Sequence, residues 1–164
     1  MKRLLWAIVA LSTLGFGLAV YSAAHKTGFV SGALCDLSET FSCDIVNRGP
    51  FSDVLGVPVA FIGLIGYAFF ALTALLKLRQ QEDKTLTWFL FFQTFFGLLF
   101  TLYLTGIEAF VLRAWCVVCL GSQAVMLALF ACAARVLWLE ERTPWQKARA
   151  FVGGLFRRRP TSPL

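Results

Sequence analysis

The sequence predicts an all-α integral membrane protein, built as a bundle of four transmembrane helices. Hydrophobic residues make up 59% of the chain, whereas soluble domains average about 45–50%. They gather in four long runs, and the charged residues lie almost entirely between these runs. The mean hydropathy is +0.74. A chain of 164 residues is long enough for one domain of this kind.

Each run is close to the roughly 20 apolar residues that a helix needs to cross a bilayer. The first is longer than the h-region of a signal peptide, about 7–15 residues, so we expect it to be retained as a span. Cleavage near Ser22-Ala23-Ala24 is the alternative. The four predicted spans are Leu4–Ala24, Val57–Leu76, Leu86–Ile107 and Ala114–Leu139.

The Lys and Arg residues set the expected orientation. Twelve lie on one side of the predicted spans and three on the other, Lys26, Arg48 and Arg113. The richer side is expected to be cytoplasmic, so both termini are predicted in the cytoplasm. The loops 25–56 and 108–113 then face outward, to the outer side of a bacterial inner membrane or to the lumen of an internal membrane. No basic segment is interleaved with aromatic residues, so nucleic-acid binding is not expected.

The sequence predicts two parts. Residues 1–140 form the catalytic membrane domain, and residues 141–164 form a basic cytoplasmic tail. Thr143 followed by Pro144 is typical of the start of a helix. The tail is therefore predicted to contain a short interfacial helix that contacts membrane lipid.

Four of the five cysteines form two pairs on the predicted outer face. Cys116 and Cys119 make a C-x-x-C at the start of the last span, where the helix dipole, with Arg113 nearby, stabilises a thiolate. Cys35 and Cys43 lie in the long outer loop. The outer compartment permits disulfides. The two pairs together indicate a relay that passes electrons to a lipid-soluble acceptor such as a quinone.

Two other interpretations remain open at this point. Four cysteines can ligate a metal, although zinc sites favour C-x2-4-C spacing and the first pair is wider. Two inert disulfides in a structural membrane protein are the other alternative. Among single residues, Cys132 is expected to be a packed hydrophobe. His25 and Glu108 are expected to be solvated. Asp36 and Asp53 are candidates for tuning thiol pKa values or relaying protons.

The chain resembles the vitamin K epoxide reductase family. The resemblance rests on the loop pair Cys35/Cys43, on the C-x-x-C of Cys116 and Cys119, and on the segment 51–60. That segment is similar to the bacterial branch, in which a short half-helix caps the pocket before the second span. The resemblance covers about residues 4 to 140. The tail is too short for the thioredoxin domain that some bacterial members carry.

The resemblance implies an order of electron transfer. Cys35 would exchange disulfides with a periplasmic thioredoxin-fold thiol oxidase, Cys43 would pass electrons to Cys116, and Cys119 would reduce ubiquinone or menaquinone. Animal members carry Ser where this chain has Gly49 and Tyr where it has Gln123, which favours quinone reduction over epoxide reduction. No metal is implied. The residues predicted for the quinone pocket are Phe51, Ser52, Phe96 and Gln123.

Overall fold

Four long helices form the body of the protein, as expected from the four apolar runs. The computed structural model describes residues 1–30, 43–47, 49, 51–54 and 56–157, with side chains described up to residue 142. The long helices are α1 (Lys2–Lys26), α3 (Val59–Arg79), α4 (Lys84–Ile107) and α5 (Val117–Arg157). Within the described residues, four helices are long and apolar enough to cross a membrane. The predicted four-helix bundle is therefore confirmed.

The helices pack as a ring, with α1 beside α3 and α5, and α4 beside α3 and α5. The core is made of small and branched apolar side chains, including Leu5, Ala74, Leu90 and Leu129, each fully buried. Most large apolar side chains on the outer faces are exposed, which suits contact with lipid rather than water. The burial pattern thus agrees with an integral membrane protein.

The helix ends follow local sequence signals. After α1, Gly28 adopts a φ of 81°, and the amides of Gly28 and Phe29 bond back to the carbonyls of His25 and Ala24. This is a Schellman motif, which satisfies carbonyls at the helix end. At the start of α4, the Asp83 side chain accepts a bond of 2.8 Å from the Thr85 amide, as an N-cap residue does.

The predicted cap differs in detail from the structure. A short helix, α2 (Cys43–Asn47), is present, but it precedes the segment expected to form it. Residues 51–58 instead contain a two-stranded antiparallel ladder of β1 (Asp53–Val54) and β2 (Val57–Pro58). Gly56 in the turn has a φ of 80°, a conformation that glycine adopts readily. The extended backbone around Pro58 suits a strand end better than a helix.

The tail also differs from the expectation. Helix α5 continues from Val117 to Arg157 without a second start at Thr143. The sequence signal at Thr143-Pro144 is overridden by the propagation of an established helix, which costs less than nucleating a new one. The helix of the tail is thus continuous with α5, while its interfacial position and the boundary between domain and tail stay predictions.

A buried ion pair locks the end of the bundle where α3 ends and α4 begins. Lys77 is fully buried, and its Nζ donates to Glu140 Oε1 of α5 at 2.9 Å. The same Nζ donates to the backbone carbonyls of Gln81 and Asp83, and Thr87 donates to the other Glu140 oxygen. These bonds tie three helices together at positions far apart in sequence.

Replacing Lys77 by methionine is expected to destabilise the protein by about 3–5 kcal/mol, because it removes the positive charge paired with the buried Glu140 carboxylate. The double variant Lys77→Met with Glu140→Leu should recover most of that loss. Lys84→Met, at an exposed lysine, is the matched control and should change stability by less than about 0.5 kcal/mol. Denaturation in detergent measures all three. A Lys77→Met protein as stable as the control would contradict a stabilising role for the Lys77–Glu140 ion pair.

Candidate functional site

Cysteines from the two predicted pairs meet at one end of the bundle. Cys43 Sγ of α2 lies 3.1 Å from Cys116 Sγ, and both side chains are fully buried. Cys43 is in a disulfide, whereas Cys116 and Cys119 are free thiols. A thiol in contact with a disulfide sulfur is arranged for thiol–disulfide exchange. The predicted partner of Cys43, Cys35, lies outside the described residues.

Two contacts with α1 hold α2 in place. Ser22 donates to the Asn47 side-chain oxygen at 2.9 Å, and His25 Nε2 lies 3.8 Å from Asp44 Oδ1. His25 is only 1% exposed, so its predicted place in solvent is wrong. A histidine at the end of a span is expected to be exposed, but here the short helix α2 covers it. The end of α1 is thus the platform that positions Cys43.

Cys116 stands directly before the first residue of α5 and behaves as an N-cap. Its Sγ accepts the Cys119 amide at 3.3 Å, and its carbonyl accepts the Leu120 amide at 2.9 Å. The hydrogen bond from the Cys119 side chain lowers the pKa of Cys116, with the backbone amides adding to it; burial and the charge of Glu108 oppose this lowering. Arg113 is exposed and is not among these causes, so its predicted contribution is not seen.

A titration tests this arrangement. In Cys119→Ser with Cys132→Ala, Cys116 is the one free thiol of the described chain, and serine still donates a hydrogen bond. Its thiolate should form at a pH below the usual range of cysteine. In Cys119→Ala with Cys132→Ala that donor is absent, so the midpoint should move to higher pH. Thiolate ultraviolet absorbance against pH measures both. Equal midpoints would show that the side-chain bond does not set the pKa.

Glu108 is a site residue that the sequence analysis missed. It begins the π-helical turn Glu108–Leu112 that follows α4, and it is 3% exposed, so its predicted solvation is wrong. Its Oε2 accepts the Cys116 amide at 3.3 Å, and its carboxyl group is near enough to the Cys119 side chain to accept the S–H of that residue. A π-helical turn is often found at functional sites, but it leaves no signal that could be recognised in one sequence.

Below the cysteines lies a cavity of about 200 Å³. It opens between all four long helices and is roofed by α2 and the segment before β1. Cys119 and Glu108 line it together with mainly apolar side chains. The apolar residues that face it include Leu18, Ile62, Phe70, Phe100, Leu104 and Met126. Its position places a bound molecule beside Cys119 rather than beside Cys116.

A few polar groups also line the cavity. Tyr67 and Ser122 bond to each other at 2.7 Å. Gln123 is 8% exposed and its Nε2 has no partner among the described residues. An unpaired buried donor costs about 1–3 kcal/mol, so a ligand with an acceptor oxygen at this point would stabilise the site. A flat apolar ring with carbonyl oxygens fits both the lining and this donor.

The predicted pocket residues fall in two groups. Phe51, Ser52 and Gln123 line the cavity. Phe96 lies elsewhere, on the outer surface of the bundle with 63% of its area exposed; the aromatic side chain that α4 does place at the cavity is Phe100. The two are one helical turn apart on nearly the same side of α4, and the sequence alone did not indicate which of them lies at the level of the cavity.

Polar and charged contacts with the end of α1 hold the roof of the cavity in place. Lys26 Nζ at the end of α1 donates to Ser52 Oγ at 2.9 Å and forms an ion pair with Asp53. Asp53 therefore ties the strand β1 to α1, and among the described residues it has no hydrogen bond or ion pair with a cysteine. Asp36, the other predicted carboxylate, lies outside the described residues.

The remaining candidates are simple to place. Cys132 is a free thiol packed against the core of the bundle, as expected. In the described ranges, no three side chains of the kinds that ligate metals are grouped closely enough to hold an ion. The metal-binding alternative stays a prediction, because it also involves Cys35.

Comparison with known proteins found one family. The model of the vitamin K epoxide reductase family matches residues 6–134. This range includes both cysteine pairs, Glu108 and the whole lining of the cavity. A search of curated proteins found no significant match to the chain.

Proposed function

Because the chain belongs to the vitamin K epoxide reductase family, and is thus an integral membrane oxidoreductase, we propose that it links protein thiols to a membrane quinone. It takes electrons from a periplasmic thioredoxin-fold thiol oxidase and so supports disulfide bond formation. The observation that carries the proposal is the 3.1 Å between Cys43 and Cys116, next to a cavity that Cys119 lines.

The electrons move by two exchanges before they reach the quinone. The dithiol of the partner reduces the disulfide between Cys35 and Cys43. The thiolate of Cys43 then attacks Cys116 in a disulfide with Cys119, and Cys35 releases the mixed disulfide. Each exchange breaks one S–S bond and forms another. The free thiols of Cys116 and Cys119 beside an oxidised Cys43 correspond to the state in which the inner pair holds the electrons.

The quinone, ubiquinone or menaquinone, is the final acceptor in this proposal. Its ring would lie between Phe70, Phe100 and the neighbouring apolar side chains, and the Gln123 amide would donate to one carbonyl oxygen. The quinone supplies the capacity to accept two electrons and two protons. The chain holds the ring next to Cys119, excludes water with its apolar walls, and orients the carbonyl.

Charge distribution supports the proposed orientation in a bacterial inner membrane. The end of the bundle opposite the cysteines carries Arg135 and Arg142, which lie 4.3 Å and 3.8 Å from the ring of Trp138. Arginine and tryptophan are typical of a cytoplasmic membrane interface. The cysteines would then face the periplasm, where a soluble thioredoxin-fold protein can approach them.

The experiment is a coupled oxidation assay. The purified protein in detergent receives a reduced thioredoxin-fold dithiol protein and a short-chain ubiquinone or menaquinone. We expect quinone absorbance to fall as the thiols of the partner disappear, with one quinone reduced for every two thiols oxidised. Partner oxidation without quinone loss would point to another acceptor, and no reaction at all would refute the proposal.

A second candidate reaction uses the same site. The family description names epoxide reduction, and converting an epoxide of a quinone to the quinone needs the same two electrons and two protons, with the oxygen leaving as water. Glu108 is an acid at the cavity wall that suits that need. To separate the two activities, vitamin K epoxide is supplied in the same assay, and chromatography measures whether the quinone forms.

A further inference from the structure

Quinone reduction needs protons as well as electrons, and few groups at the cavity can move them. The carboxyl group of Glu108 is the one carboxyl among the described residues that line the cavity. The other titratable side chains there are Cys119, which loses its own proton in the reaction, and Tyr67, whose hydroxyl is engaged by Ser122. The walls are mainly apolar, so they offer few hydrogen-bonding partners to water that could carry protons.

Glu108 touches both members of the inner pair. Its Oε2 accepts the Cys116 amide at 3.3 Å, and its carboxyl group adjoins the Cys119 side chain, whose single S–H can turn either to Cys116 or to Glu108. It is 3% exposed, which places it beside the reacting sulfur and away from bulk solvent. A general acid or base must lie within hydrogen-bonding reach of the proton it moves, and this group satisfies that condition for Cys119.

We propose that Glu108 is a catalytic residue that takes the proton of Cys119 and delivers it to the quinone oxygen. This inference rests on the proposed function. In the full reaction the two S–H bonds of Cys116 and Cys119 break, one S–S bond forms between them, and two O–H bonds form on the quinone. The thiols are oxidised by two electrons and the quinone is reduced to the quinol.

Charge balance favours this route. The Cys119 bond lowers the pKa of Cys116, but a negative charge on Glu108 raises it. Two negative charges close together are therefore unfavourable in the site. When Glu108 takes up the Cys119 proton, the carboxyl group becomes neutral as the thiolate forms. The buried site then keeps the same net charge, which avoids the large cost of adding an unpaired charge to an apolar region.

The test separates proton transfer from positioning. Glu108→Gln keeps an oxygen that can accept the Cys116 amide, but it cannot carry a proton. The protein is first reduced with a small dithiol, and its single reaction with a short-chain quinone is followed by absorbance. We expect Glu108→Gln to react at least about a hundredfold more slowly, with an unchanged KM and a larger solvent deuterium isotope effect. Glu108→Asp should recover part of the rate.

Several controls make the result decisive. Glu141→Gln changes an exposed glutamate on α5 and should react at the wild-type rate. In Glu108→Gln, exchange between Cys43 and Cys116, followed by thiol labelling, should proceed within about threefold of wild type, because that step does not use the quinone. A Glu108→Gln protein that reduces quinone at the wild-type rate overturns the inference. So does an equal loss in both steps, which would assign a purely structural role.

The two proposals fail in different ways. If the reduced wild-type protein does not reduce quinone at all, the proposed function fails and Glu108 has no such reaction to serve. If the wild-type protein reduces quinone and Glu108→Gln reduces it at the same rate, the proposed function stands and the proton route is wrong.

Discussion

Alanine at Cys116 or Cys119 is expected to lower quinone-dependent oxidation of the partner by at least about a thousandfold. Nucleophiles that form a covalent intermediate cannot be replaced by their neighbours, so removal of one costs orders of magnitude. The geometry makes the loss specific. Cys116 lies 3.1 Å from Cys43, and Cys119 is the cysteine that lines the cavity. Quinone absorbance during turnover gives the measurement.

Intermediates distinguish the two cysteines. With Cys35→Ala and Cys119→Ala together, Cys43 and Cys116 are left as a pair, and mild oxidation should join them in a disulfide that mass spectrometry detects. With Cys35→Ala and Cys116→Ala, the same treatment should give no such link. Cys132→Ala is the matched control and should retain a near wild-type rate. A cross-link that is absent in the first variant would contradict the contact seen here.

The second large effect is expected at Gly15, where α1 passes directly over α3. A Cβ at this position would lie 2.2 Å from Tyr67 Cε1, and the Tyr67 ring is only 4% exposed. Gly15→Ala must therefore push the ring toward the cavity or separate the helices, at a cost of about 1–3 kcal/mol. Because Tyr67 lines the cavity and bonds to Ser122, the KM for quinone should rise as well.

Gly17 offers a matched control on the same helix, since a Cβ there meets nothing within 4 Å. Gly17→Ala should be neutral or slightly stabilising, because alanine has the higher helix propensity. Thermal unfolding in detergent and quinone titrations measure both variants. Similar behaviour of the two would mean that the close approach at Gly15 has no energetic consequence.

The sequence predicted the helices well because lipid imposes a simple rule. An apolar run must be a helix of bilayer length, and the predicted Leu86–Ile107 differs from the observed Lys84–Ile107 only at its start. The position of Cys116 and Cys119 at the start of the last helix follows from the same rule, because the last apolar run begins there. The four helices could therefore be placed without knowing how they pack.

The residues that sequence analysis misplaced are polar groups whose burial depends on packing. Glu108 and His25 sit at span ends, where a charged or polar residue is normally solvated. A π-helical turn buries the first and the short helix α2 covers the second. Lys77 and Glu140 are separated by 63 positions, and nothing local links them. Contacts of this kind need the three-dimensional arrangement.

The hydrogen bonds that Cys116 accepts as an N-cap also affect the reduction potential of the pair Cys116/Cys119. Its sulfur accepts hydrogen bonds at the start of α5, and these bonds are strongest when the sulfur is a thiolate. They therefore stabilise the reduced form of the inner pair more than its disulfide. A dithiol whose reduced form is stabilised is a stronger oxidant. In the proposed relay, this helix end therefore favours electron transfer from Cys43 to Cys116.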